Sequence, residues 1–175
     1  TRNYIYTLWQ RSYAAIRELS SAASEAPLRV YRRGRGGQAK EQVNHSAANL
    51  VTQPNPYQSG FELVESIITI LHIAGNAYLE KERRGGQVVR LWPLNPGRIK
   101  VVPGGDYIAG YEYTICTDTV KLGPEDVIHF RLPHPRNPYY GLAPLSVAAR
   151  IADMDNSNID WMRLIFQNGG VPMGV

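Results

Sequence analysis

Between Ser59 and Gly75 the chain carries a helix-length segment that is apolar on almost every side, and this segment constrains the fold more than any other. Ser59-Gly60-Phe61-Glu62 has the spacing of a capping box, in which Ser59 and Glu62 each satisfy a backbone N–H left free at a helix start. Phe61, Val64, Ile67, Ile68 and Leu71 follow, and the polar residues form only a narrow stripe of Glu62, Glu65, Thr69 and His72. A helix with so little polar surface is expected to be mostly buried, so other layers must cover it. Pro54-Asn55-Pro56 fixes a sharp loop leading in, and Gly75-Asn76 ends the helix and turns it into the first strand.

The covering layers follow in the sequence. From Ala77 to Phe130 the pattern changes to period two, with strand-like runs at Tyr78–Glu82, Val88–Trp92, Ile99–Val102, Tyr107–Thr117, Thr119–Leu122 and Val127–Arg131. Gly85-Gly86, Gly104-Gly105-Asp106 and Gly123-Pro124 mark turns between several of them, and Leu94-Asn95-Pro96 ends one strand and aims the next. The expected fold is α+β: an antiparallel meander, able to curl into a small barrel, packed with amphipathic helices and followed by a long C-terminal helix.

Upstream, Ile5, Leu8, Trp9, Ser12, Tyr13, Ile16 and Leu19 space out an amphipathic helix that Ser20-Ser21 and Pro27 help to end. Leu28–Arg32 reads as a short half-buried strand, Arg33–Gly37 as a glycine-rich tip, and Val43, Ala47, Leu50 and Val51 as a second helix. Downstream, Tyr140-Gly141-Leu142-Ala143-Pro144 starts the last helix, with Pro144 in the tolerated first turn. Asp153, Asn156, Asp160, Arg163 and Gln167 line one side of it, Ile151, Ile159, Met162 and Phe166 the other, and Asn168-Gly169-Gly170 stops it.

A chain of 175 residues, 43% of them hydrophobic, can bury one substantial core. No apolar run approaches the roughly 20 residues that cross a bilayer, no signal-peptide pattern opens the chain, and no membrane partner is expected. Cys116, the lone cysteine, sits in a strand-like run and reads as a small packed residue, which fits synthesis in a reducing compartment. The net charge of +4 is unevenly placed. Arg29, Arg32, Arg33, Arg35 and Lys40 stand together without an acid, a second basic run extends from Lys81 to Lys100, and the segment after Gly141 is acidic. Such clusters suit nucleic acid, lipid or an acidic partner, and their plainest reading is solvated loop and hairpin tips. The use of 11 Tyr against 3 Phe is consistent with subunit contacts.

Reactive chemistry finds little footing. His129 and His134 lie near each other in sequence but are separated by a strand and a proline loop, with no cysteine pair or close carboxylate to complete a metal site. His129, taken to alternate outward from Val127, reads as a satisfied sheet residue. Asp153 and Asp155, two apart on a helix, point in different directions and do not converge on a cation. There is no Gly-x-Ser-x-Gly elbow, no phosphate-cradling glycine loop with its Lys-Ser/Thr, and no basic recognition helix. No enzyme, metal or cofactor is expected.

Taken in order, Pro54-Asn55-Pro56, Gly75-Asn76-Ala77-Tyr78, Leu94-Asn95-Pro96, Asp126–Phe130 with His129, Tyr140–Pro144 and Asn168-Gly169-Gly170 resemble the HK97-type portal proteins of tailed bacteriophages, a family that includes the portals of gene transfer agents. The match runs from about Leu50 to Val175. The resemblance implies a structural, non-enzymatic subunit of a homo-oligomeric ring, usually of twelve, at one capsid vertex of the virion, assembled in the host cytoplasm. Such a ring passes double-stranded DNA without sequence specificity. It also meets the terminase, the major capsid protein or scaffold, and the head-tail connector. It implies that residues 1–143 form a wing-like α+β domain and 144–175 the helix leading toward the stem and clip. Asp153 and Asp160 would then face the channel, and Arg32, Arg33 and Arg35 would make exterior contacts. The competing expectation is a free nucleic-acid-binding module without sequence specificity, working through the basic tips.

Overall fold

The computed structural model describes residues 2–34, 36–105 and 107–149, with side chains from residue 13 onward. A long helix α1 (Arg2–Ser24) is followed by a small hairpin of β1 (Tyr31–Arg33) and β2 (Ala39–Glu41), then by α2 (Ser46–Thr52) and α3 (Gly60–Ala74). Six strands come next: β3 (Asn76–Arg84), β4 (Gln87–Leu94), β5 (Ile99–Gly104), β6 (Tyr107–Ile115), β7 (Asp118–Leu122) and β8 (Val127–Arg131). A 3-10 turn at Pro96–Arg98 links β4 to β5, and the chain is helical again over 144–149.

Helix α3 begins and ends as its sequence dictates. Both bonds of the capping box form: Glu62 N–H donates to Ser59 Oγ at 3.3 Å, and Ser59 N–H donates to Glu62 Oε2 at 2.7 Å. The Ser59 N–H and the Ser59 hydroxyl, both donating to Glu62 Oε2, hold the Glu62 carboxyl below its ordinary pKa. Gly75 terminates the helix at φ 74°, donating its N–H to the Leu71 carbonyl.

The strands are all antiparallel, as expected, but they are not one meander. They form two three-stranded sheets, β4-β3-β8 and β5-β6-β7, because β8 returns to pair with β3 from Asn76↔Arg131 to Glu80↔Val127. Alternation along β3 then defines three layers. Tyr78 joins Leu94 and Val127 against Ile99, Val101 and Tyr111 of the second sheet. Leu79 points the other way and joins Leu91 against Leu63 of α3, with Leu50 of α2 packed alongside. Ala77, Tyr78 and Leu79 are therefore all buried, since β3 is central in its sheet and covered on both faces.

Several expectations change in three dimensions. The Leu28–Arg32 strand is displaced to Tyr31–Arg33, is exposed throughout, and pairs with β2, which carries no apolar signal. Ser20 and Ser21 lie inside α1 rather than ending it. The Ser20 and Ser24 hydroxyls bond back to the carbonyls of Arg17 and Ser20, which lets these small residues be buried within the helix. Only Leu63 of α3 is fully buried; most of the helix is half-covered, and Phe61 and Ile73 are exposed. Cys116 is exposed, because the two-residue link between β6 and β7 needs a left-handed residue there, at φ 54°. Beyond residue 149 the expected long helix lies outside the described residues.

Leu79→Ala should lower unfolding free energy by about 2–5 kcal/mol, since it removes a side chain packed between two layers. Thr114→Ala, on an exposed strand position, should change it by less than about 0.5 kcal/mol. Urea denaturation of the two variants checks the layer assignment.

Candidate functional site

The motif residues singled out in the sequence converge on a joint rather than a cleft. Its centre is Asn76, buried at the start of β3. Its Oδ1 accepts the Gly141 N–H at 2.7 Å and faces His129 Nε2 at 3.2 Å, while its Nδ2 donates to the Ala74 carbonyl at 3.0 Å. A backbone N–H on one side and a carbonyl on the other fix which way round the amide sits. His129 must then carry its proton on Nε2, as a neutral donor. One residue earlier, the Gly75 carbonyl accepts the Leu132 N–H at 2.9 Å. The turn after α3 is thus tied to both ends of the proline-rich loop that leaves β8.

Two glycines make that approach possible. A Cβ at Gly141 would lie 2.0 Å from the Gly75 carbonyl oxygen and 2.7 Å from the Leu132 nitrogen. A Cβ at Gly75 would lie 2.5 Å from the Gly141 oxygen, in a left-handed backbone that disfavours side chains anyway. His129 closes the joint from β8. It faces the second sheet on the same side as Val127, since residues two apart on a strand share a face, and so does not alternate outward. Its ring stacks on Tyr78 at 4.2 Å and meets Tyr111 edge-on at 5.9 Å. Burial, with the Arg131 charge nearby, pushes its pKa down to about 4. Burial likewise raises the Tyr78 hydroxyl well above its ordinary range.

The loop that docks here is sewn to itself and to the second sheet. His134 Nδ1 accepts the N–H groups of Arg136 and Asn137, and Asn137 Oδ1 accepts those of Tyr139 and Tyr140. The Tyr140 hydroxyl accepts the Val101 N–H at 2.9 Å, capping the free edge of β5. Arg131 lies over the Tyr107 ring, and both donate to the Pro138 carbonyl. A second knot holds the loop before α3. Pro54 and Asn55 are buried, Asn55 Nδ2 donates to the Leu91 carbonyl at 3.0 Å, and the Pro54 carbonyl accepts the Leu91 N–H at 2.9 Å.

Gly75, Asn76, Tyr78, His129 and Gly141 therefore meet at one place, and Pro54 and Asn55 form the second knot against β4. Pro56 is exposed in the same turn. Leu94 lies in the core beside Tyr78, and Pro96 opens the 3-10 turn, whose Asn95 side chain accepts the Gly97 N–H. Pro144 is the first helical residue after Ala143, whose carbonyl accepts the Ser146 N–H. Arg32 and Arg33 stand exposed on β1. Arg35, Asp153, Asp160, Asn168 and Gly169 lie outside the described residues. Tyr140 and Arg131 were not singled out as site residues, although Tyr140 opens one of the quoted motifs.

Part of the basic charge is already partnered. Arg29 lies 3.4 Å from Glu41, Arg83 3.0 Å from Asp126, and Arg90 3.1 Å from Glu82. Glu82 also accepts from Trp92 Nε1, which with Arg90 holds its carboxyl below the usual range. Among the described residues, no group of three or more His, Cys, Asp or Glu converges as metal ligands would. What the site supplies is rigid geometry between a helix, two sheets and a loop.

A family model described as phage portal protein matches residues 11–175. The chain is 27% identical over 175 residues to a probable portal protein of Streptomyces phage phiC31, a match that spans 93% of this chain and 37% of that protein. Among solved structures it resembles a chain in the neck of an empty gene transfer agent particle computed with C6 symmetry, at TM-score 0.69 and 27% identity, covering 92% of this chain and 44% of that one. It also resembles a chain in the neck of the native particle computed with C12 symmetry, at TM-score 0.65 and 27% identity, covering 92% and 42%. The chain thus spans less than half the length of these relatives.

The joint should be sensitive to acid. With a folded pKa of about 4 against an ordinary 6.5, His129 contributes stability that is fully present above about pH 6.5 and is lost as pH falls toward 4, on the order of 3 kcal/mol in all. His129→Gln keeps a donor toward Asn76 but does not titrate in this range. Denaturation midpoints between pH 4 and 7 should fall more steeply for the parent protein than for this variant; parallel slopes would remove His129 from the joint.

Proposed function

This chain belongs to the phage portal protein family, and we propose that it is the wing part of a structural subunit that assembles into a ring at one capsid vertex. The observation that carries this reading is the convergence of the motif residues on the Asn76 joint, in a chain whose residues 11–175 match the portal family model. Residues 1–143 form the wing-like unit, and the helix starting at 144 leads toward the stem. A ring of twelve is supported by the C12 symmetry of the native gene transfer agent neck, whose chain this one resembles.

The ring serves as the channel for double-stranded DNA during packaging and ejection, contacts DNA without sequence specificity, and docks the terminase and the head-tail connector. It belongs to the virion and assembles in the host cytoplasm. Asp153 and Asp160 face the channel, where negative charge would keep DNA from adhering to the wall. Arg32, Arg33 and Arg35 face outward toward capsid or scaffold. Arg32 stands directly opposite Lys40 on an exposed hairpin, a like-charge pair suited to an acidic partner. A free nucleic-acid-binding module is less well supported, because Arg29, Arg83 and Arg90 are engaged with carboxylates.

Mass measurement on the full-length protein in solution should give a ring, and DNA titration of the unassembled subunit at two salt concentrations should show little affinity. A monomer with strong, steeply salt-dependent DNA binding would overturn the portal reading in favour of the free module. Joint replacement of Arg32, Arg33 and Arg35 by Ser should reduce incorporation of the ring into capsids while leaving the ring intact; unchanged incorporation would remove their exterior role.

A further inference from the structure

The β1–β2 hairpin is a ribbon exposed at every residue of both strands, and among the described residues no third strand joins it. An isolated two-stranded ribbon is marginally stable in water and gains from a further strand. Its ladder runs from the Gln42 N–H on the Val30 carbonyl, at 2.8 Å, to the Gly34 N–H on the Gln38 carbonyl, at 2.9 Å. With Arg32↔Lys40 between them in register, Val30, Arg32 and Gly34 turn their backbone groups toward β2. Tyr31 and Arg33 therefore turn theirs outward, along a free edge. On the opposite edge the Glu41 carbonyl already accepts Gln42 Nε2 at 3.3 Å, and Glu41 brings a negative charge.

The free edge is cationic on both faces. Arg32 shares one face with Lys40, and Arg33 lies on the other with Tyr31. Arg29 is paired with Glu41 at 3.4 Å, but among the described residues Arg32, Arg33 and Lys40 form no ion pair. Like charges directly opposite on neighbouring strands are destabilising, so the Arg32–Lys40 pair weakens the free ribbon, and an added carboxylate would relieve it.

We infer that the outer edge of β1 receives an extended acidic segment of a partner protein as a third strand; this specifies the exterior contact proposed for Arg32 and Arg33 and rests on that reading. The edge offers backbone donors and acceptors together, which a peptide strand matches in both senses, whereas its carbonyls would repel phosphate. A strand laid there sends alternate side chains to both faces and reaches Arg32 and Arg33 together, while a duplex meets one face. Two ribbons do not suit each other edge to edge, since that sets arginine against arginine. The chain's own acidic residues set out from elsewhere. The ribbon leaves the core at the N-terminal end of α3, where Ser24 to Leu28 border one cavity with Gly60 and Val64. The exit toward Asp153 and Asp160 departs from the C-terminal end of α3, where Gly141 packs on Gly75, roughly 22 Å away along the helix.

The probe is a fluorescent, end-capped peptide of alternating Glu and Val, titrated against the full-length protein. It should bind saturably, and a version methylated on its backbone nitrogens, with its charges kept and its donors removed, should bind about tenfold more weakly. Tyr31→Pro removes an outward N–H, keeps every cation and is a change that an edge strand tolerates. It should leave the unfolding midpoint near the parent value, weaken the peptide by a similar factor and reduce incorporation of the ring into capsids. Arg32→Ser with Lys40→Ser should weaken the peptide as well. Equal binding of the methylated peptide, or normal incorporation of Tyr31→Pro, would reduce the contact to charge alone and overturn strand addition while the exterior role of the arginines stands. Failure of the peptide to bind, the result expected of an edge already filled by the chain's own acidic residues, would also overturn it. Preference for duplex DNA over the peptide would assign the ribbon to nucleic acid and do the same. Unchanged incorporation after joint replacement of Arg32, Arg33 and Arg35 would instead overturn the exterior reading itself.

Discussion

One primary amide organises this protein. Asn76 sits where α3 becomes β3, and it uses both ends of its side chain at once, holding the helix terminus through Ala74 and the loop and β8 through Gly141 and His129. Each bond is worth about 1 kcal/mol net, but a residue unable to fill both roles would leave half-buried donors without acceptors, and that penalty is larger. The two glycines beside it matter for the complementary reason. They let the Gly75 and Gly141 backbones approach to a distance at which no side chain fits. Orientation of the exit helix follows, because the chain runs from Gly141 through Ala143 directly into it.

The second organising feature is the central position of β3. Strand neighbours on both edges and layers on both faces leave Ala77, Tyr78 and Leu79 almost without solvent contact. The aromatic group of Tyr78, Tyr111 and His129 lies between the sheets, and Leu79, Leu91 and Leu63 lie under the helices. Packing of this kind resists graded deformation, since a close-packed interior transmits strain instead of absorbing it. The wall-segment role proposed for this chain would draw on that property rather than on a reactive group. It also accounts for a site whose polar residues bond to one another and to backbone rather than pointing together into a cavity.

Much of the local structure was legible from the residues. The capping box at Ser59 and Glu62, the glycine stop at Gly75, the helix start at Pro144 and the strand runs from Tyr78 to Arg131 all follow from short-range chemistry, which acts within a few residues. What escaped was non-local. Val127–Arg131 reads the same whether it extends a meander or returns to pair with β3, and the return is decided by which edge is free and which face is apolar. The outward placement of His129 failed for lack of a partner to orient against; Asn76 lies 53 residues away in the sequence. The β1–β2 hairpin was announced only in part: the Leu28–Arg32 alternation placed its first strand too early, and Ala39–Glu41 carries no apolar pattern to announce the second.

By itself the sequence determined most of the helix and strand positions between Ser59 and Arg131, and that they pack as an α+β unit. Tertiary structure alone decided that six strands divide into two sheets and that the motif residues meet around Asn76. The reason lies in range: caps, turns and alternation are set by neighbours along the chain. Sheet order and a buried amide shared by three segments arise only when distant segments compete for the same space.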